Sequence, residues 1–194
     1  DKLAATVTSS NTTVEKYGLS MKNVASQAGA LGINMTDLST AIGLQANAGV
    51  KGAKAGTALK NVLANMSAPT EKQEKALKKL GFTADKTGSY FKTTADGAVD
   101  LEATVKQLMT ATDKMTKSQK AAVLAQLAGR EALPGLMALL SQGAEGWDEL
   151  SNTIENSTGK VQYWNECMSL AGKSGKEATK AINNMKEVFA EVET

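Results

Sequence analysis

The chain is 194 residues long, with a formal net charge of +2, one cysteine and no histidine. So small a charge excludes a charge-driven nucleic-acid or membrane surface as the default, and the lack of histidine removes the commonest general base and zinc ligand together. Hydrophobic residues make up 42% but aromatics only 4%, which predicts a thin core of alanine and aliphatic side chains in close helix contacts.

The first dozen residues are rich in Thr, Ser and Asn, and Thr12 with Glu15 has the spacing of a capping box. They read as the tail of an upstream helix. The chain starts at Asp1 with no charged-then-apolar leader, which reads as a fragment of a longer protein. Four helical segments then stop at a glycine followed by an apolar residue: Gly18-Leu19, Gly32-Ile33, Gly49-Val50 and Gly81-Phe82. A left-handed glycine closes a helix, and the next apolar residue packs back onto the last turn. On that pattern Ser20 caps a helix to about Leu31, and Thr36 caps another to about Ala48 with Asp37 at its positive end. A small-residue entry from Lys51 opens a helix to about Met66, whose Leu59, Val62, Leu63 and Met66 share a face. Pro69 stops it. Thr70 and Gln73 form a capping box for a short basic helix that buries Leu77 and Leu80.

Residues 82–97 break the helical pattern: Phe82, Tyr90 and Phe91 flank Asp85-Lys86-Thr87-Gly88, and Asp96-Gly97 closes the stretch. A small hairpin or ordered loop is predicted there. Helices resume with Leu101, Val105, Leu108 and Met109 on one face. Thr116 and Gln119 cap the next segment, which carries Val123, Leu124 and Leu127. Pro134 places a break or helix start near Gly129 to Ala132, and Trp147, Leu150 and Ile154 form the face of a following helix. The longest apolar stretch, Ala132 to Leu140, falls far short of the roughly 20 residues of a membrane span.

From Val161 the pattern changes. Val161, Trp164, Met168, Ala171, Gly175, Ala178, Ile182, Met185, Phe189 and Val192 recur at three- and four-residue intervals, a heptad seam over more than four heptads. One helix of about 32 residues would extend roughly 48 Å, although Gly172 and Gly175 also allow a bend or two helices. Such a helix packs on its own domain or pairs with another. Trp164, Met168, Ile182, Met185, Phe189 and Val192 are the residues expected to carry helix association.

Chemistry-bearing motifs are sparse. Cys167 has no imidazole to activate it and sits beside Met168. Asp85-Lys86-Thr87-Gly88 matches the tetrapeptide around the phosphorylated aspartate of P-type pumps, but reads as a polar turn. Gly49 to Thr57 resembles a phosphate loop and lacks its Gly-Lys-Ser/Thr ending. Glu145, Asp148 and Glu149 suit the start of a helix. Lys72, Lys75, Lys78 and Lys79 form a basic strip without arginine or aromatics, so any DNA contact is weak. No catalytic residue, cofactor or metal site is expected.

Gly32 to Leu38, Ala48 to Asn61 with its Ala55-Gly56-Thr57-Ala58-Leu59 block, Ser67-Ala68-Pro69-Thr70, Ala76 to Gly81 and Leu127 to Ala132 occur in this order. These blocks resemble the core of phage tail tape measure proteins of the TP901 type, over roughly residues 17–160. The resemblance implies a structural, non-enzymatic module of a mostly helical protein in the tail, which sets tail length during assembly and assists DNA delivery. It implies tail tube protein, tail assembly chaperones and baseplate or tip proteins as partners, with no small-molecule substrate. The expected location is the virion tail, and the host cytoplasm during assembly. The alternatives are a module of a phage-tail-like bacteriocin or injection particle and, further off, a small nucleotide-binding protein. The expected fold is all-α: a compact core domain over residues 1–159, then a long heptad-patterned helix over residues 160–194 that self-associates.

Overall fold

The computed structural model describes residues 1–157. They form nine helices joined by short loops: α1 (Lys2–Thr8), α2 (Val14–Ala30), α3 (Met35–Asn47), α4 (Ala53–Ser67), α5 (Glu71–Lys79), α6 (Leu101–Asp113), α7 (Lys117–Ala128), α8 (Leu133–Leu140) and α9 (Gly143–Glu155). A two-stranded antiparallel ribbon, β1 (Lys92–Thr93) and β2 (Val99–Asp100), lies between α5 and α6. All-α is therefore the fold class. The expected helix beyond residue 160, with its seam and Cys167, lies outside the described residues.

Three of the four glycine stops close helices as the sequence pattern predicts. Gly32, Gly49 and Gly81 have φ of +68°, +89° and +76°. The amides of the residues that follow reach back to the last turn: Ile33 donates to the Ala28 carbonyl at 3.0 Å, Val50 to Gln45 at 2.8 Å and Phe82 to Leu77 at 3.0 Å. These closures are the Schellman bonds that satisfy otherwise orphaned carbonyls. Gly18 is different, because α2 runs straight through it. Thr13, one position after the predicted cap, starts α2 by accepting from the Lys16 amide at 3.2 Å. Tyr17, Ser20, Val24 and Ala28 then give α2 one continuous buried face, which overrides the local break signal of an exposed glycine.

Ser20 and Thr36 are likewise inside helices rather than at their caps. Asn34 caps α3, its side chain accepting from the Asp37 amide at 2.8 Å. The capping boxes at Thr70/Gln73 and Thr116/Gln119 are both formed. Pro134 sits in the first turn of α8, where its missing amide hydrogen costs nothing. The hairpin exists but is shorter and later than predicted, with Lys92 opposite Asp100 and Thr93 opposite Val99. Asp85 to Ser89 make a separate turn.

The Ala55 to Leu59 block lies at the centre of the domain. Gly56 meets α2 so closely that a methyl group there would stand 2.2 Å from the Ser20 carbonyl oxygen. Two α2 side chains tie the crossing: the Ser20 hydroxyl donates to the Gly52 carbonyl at 2.8 Å, and the Asn23 amide to the Ala53 carbonyl at 3.0 Å and the Thr57 hydroxyl at 3.1 Å. On another side of α4, a methyl group at Gly135 of α8 would stand 2.3 Å from the Ala58 Cβ. Leu59, Leu63 and Met66 extend inward from this junction into one core shared with Leu77, Leu108, Leu124, Leu136 and Trp147.

The ribbon and α6 are anchored on α3. The Asp37 carboxylate is buried and accepts from the Glu102 amide in the first turn of α6 at 3.2 Å. Burial lifts its pKa above the ordinary aspartate value and the nearby Glu102 and Asp100 charges add to this, opposed by hydrogen bonds from the Glu102 backbone and Asn34.

Two outcomes follow from this packing. Gly56→Ala is expected to destabilise the domain by about 2 kcal/mol through overpacking against backbone, while Gly18→Ala, with nothing near the new methyl, should add about 0.5–1 kcal/mol. Opposite signs in urea unfolding would bear this out, and a Gly56→Ala variant as stable as the parent would refute the close crossing. For Asp37, a raised folded-state pKa means that its contribution to stability is greatest below the ordinary aspartate pKa of about 3.9 and is lost as pH rises through the folded value. Asp37→Asn should therefore raise the unfolding midpoint at pH 7 relative to the parent, with the gain shrinking towards pH 3. A gain that grows on acidification would overturn that account.

Candidate contact surfaces

Two of the motifs that suggest chemistry in the sequence, at Asp85 and at Gly49 to Thr57, are occupied by structure. In the turn after α5, one Asp85 carboxylate oxygen accepts from the Thr87 amide at 2.8 Å, the Thr87 hydroxyl at 2.7 Å and the Ser89 amide at 2.9 Å. The Thr87 hydroxyl bond is the largest cause holding the Asp85 pKa below its ordinary value, with backbone bonds from Thr87, Ser89 and Gly88 adding to it. The carboxylate is thus an organiser of its own turn. At Gly49 to Thr57 the Gly52 carbonyl accepts from the Ser20 hydroxyl and from the Gly56 amide. The loop is consumed by docking on α2 and does not form an amide-lined cradle.

Glu145, Asp148 and Glu149 diverge along α9. Asp148 pairs with Lys106 of α6, which also binds Glu102 at 2.7 Å. Glu149 instead faces a hollow lined by Ser9, Asn47, Gln142 and Thr153. A second acidic hollow gathers Asp37, Asp96, Asp100 and Glu102 beside the ribbon. Among the described residues no group of three or more His, Cys, Asp or Glu side chains is placed to hold a metal ion.

The lysine strip is real. Lys72, Lys75, Lys78 and Lys79 line an open hollow with Gln126 of α7, and it continues past Lys79 and Gln126 along Met115, Gln119, Ala122 and Val123. Lys75 and Lys78 are paired one turn back with Glu71 and Glu74, each at 3.2 Å on exposed surface, so their charges are partly neutralised.

One surface has no counterpart in the sequence reading. Glu155, the last residue of α9, pairs with Lys2 at 2.7 Å and also hydrogen bonds with Thr36. This brings the start of α1, the start of α3 and the end of α9 together. Leu3, next to Lys2 in the chain, and Met35, next to Thr36, are 43% and 50% exposed. The seam residues Trp164, Met168, Ile182, Met185, Phe189 and Val192 follow this point in the chain and lie outside the described residues. Among the described residues no helix is long and apolar enough to cross a membrane.

No solved structure matches the chain. It is 31% identical over 175 residues to the tape measure protein of Pneumococcus phage Dp-1, an alignment that covers 89% of this chain and 15% of that protein. The chain therefore spans a small part of the relative's length. The profile of the phage-related minor tail protein family matches residues 1–129, which take in the α2–α4 crossing and every helix up to α7. The chain belongs to the phage-related minor tail protein family: it is a phage tail protein, similar to a tape measure protein.

Proposed function

We propose that this chain is a module of a tape measure protein that sets tail length during assembly and assists DNA delivery, working through protein contacts rather than catalysis. The observation that carries the reading is the similarity to a tape measure protein along 89% of the chain. The Asp85 turn is organised by its own carboxylate and the Gly49 to Thr57 loop is taken up by packing on α2, which supports a structural role for both. In this reading the partners are the tail tube protein, the assembly chaperones and the baseplate or tip proteins. The site of action is the virion tail, reached from the host cytoplasm during assembly. The seam from Val161 to Val192 is the surface for helix association. Its apolar residues at three- and four-residue intervals match the repeat by which paired helices bury a common stripe.

An in-frame deletion of codons 161–192 in the parent gene tests the length-setting role by electron microscopy of tails. Tails shorter by about 48 Å are expected if that segment lies as one helix along the tail axis. Tails of unchanged length would rule out a ruler function for the segment. Within the seam, Ile182→Asp with Phe189→Asp should lower both helicity and any self-association, and unchanged sedimentation and circular dichroism would dismiss it as an association surface.

A further inference from the structure

Helices α5 and α7 pack against each other and leave an open groove along their junction. One wall is basic. Lys72, Lys75, Lys78 and Lys79 of α5 line it with Gln126 of α7, and past Lys79 and Gln126 it continues over Met115, Gln119, Ala122 and Val123. Lysine stems make much of its surface carbon while the ammonium groups stay in water. The other wall brings no opposing charge: from Lys114 to Arg130 the chain has no Asp or Glu. Gln119, Ala122 and Gln126 recur there at three- and four-residue spacing along one face of α7. Between the walls Ala122 is exposed and Met115 half-buried above the buried Val123.

The four lysines are not equivalent. Lys75 and Lys78 are paired with Glu71 and Glu74 one turn back, whereas Lys72 and Lys79 join none of the ion pairs among the described residues. These two stand two turns apart, about 10 Å along α5, and present two uncommitted charges along one edge of the groove. We propose that the α5–α7 groove docks an acidic amphipathic helix of another protein, its apolar stripe covering Met115 and Ala122 and its carboxylates, two turns apart, pairing with Lys72 and Lys79. The inference names the kind of partner for the protein-contact role proposed above and rests on that role. A helix about 10 Å across is the form that a groove between two helices accepts, through anchors at i, i+3 or i+4 and i+7. Charge density separates it from a polyanion. Duplex DNA carries one phosphate charge about every 1.7 Å, offers the apolar floor nothing, and is repelled by Glu71 and Glu74 beside the strip. A helix with carboxylates two turns apart meets the two free lysines and leaves both resident pairs intact.

The test is fluorescence anisotropy of a labelled synthetic helix of about 18 residues, five turns, with leucines along one stripe and glutamates two turns apart beside it, added to the full chain. Lys72→Gln with Lys79→Gln, both at exposed positions, should weaken binding about tenfold. Ala122→Arg, which keeps the surface basic but blocks the floor, should weaken it by a similar factor. Circular dichroism matching the parent's shows that both variants keep the fold. No peptide binding by the parent, or parental binding by either variant, would overturn the proposal. So would equal binding of a scrambled peptide that keeps the charge and loses the stripe, or tighter binding of a duplex of about 20 base pairs, since the strip would then read charge alone. The readout is independent of tail length. A failed length-setting role leaves the groove's binding standing, and absent binding fells the groove alone.

Discussion

The domain depends on one backbone-to-backbone contact, the crossing of α2 and α4 at Gly56 and Ser20. Most helix pairs meet through side chains at 8–10 Å between axes, but here glycine removes the spacer and lets a carbonyl fill the gap. A close approach exposes polar backbone to apolar surroundings unless it is hydrogen-bonded. Ser20 and Asn23 answer that by bonding Gly52, Ala53 and Thr57 of the facing helix. With α4 seated so deeply, its other sides can meet α3, α7 and α8. A chain so poor in aromatics thereby obtains a core from small residues at short range.

The crossing also explains why the Ala55 to Leu59 block is so distinctive in the chain. Each position has a separate geometric duty: Ala55 and Ala58 are buried and small, Gly56 admits a backbone, Thr57 accepts from Asn23, and Leu59 fills the core. A larger residue at the first four would push apart helices that three other elements lean on. The resemblance to a phosphate loop is a by-product, because both settings favour small residues at a helix entrance.

Local signals were readable where a residue acts within a few positions of itself. The glycine closures at Gly32, Gly49 and Gly81 and the boxes at Thr70/Gln73 and Thr116/Gln119 involve bonds spanning three to five residues, and they were visible in the sequence. Gly18 and Ser20 carry no local sign of their place inside α2, because the decisive contact, α2 against α4, spans more than thirty positions. The ribbon's exact bounds have a similarly distant origin: Val99 is positioned by donating to the Leu31 carbonyl at 2.9 Å, and Tyr90 by donating to Met66 at 3.0 Å. The joining of α1, α3 and α9 through Glu155 has no local signature at all, since it is made by an ion pair between the two ends of the described chain.

That pairing of ends has a mechanical meaning. The described residues begin at α1 and end at α9, and these two helices pack side by side. While folded, residues 1–157 therefore separate their own two ends by little more than the distance between Lys2 and Glu155. Under tension the load falls first on that ion pair and on the packing of α1 against α9, so pulling would free the ends before it strained the α2–α4 crossing. Only after that release would the stored length pay out.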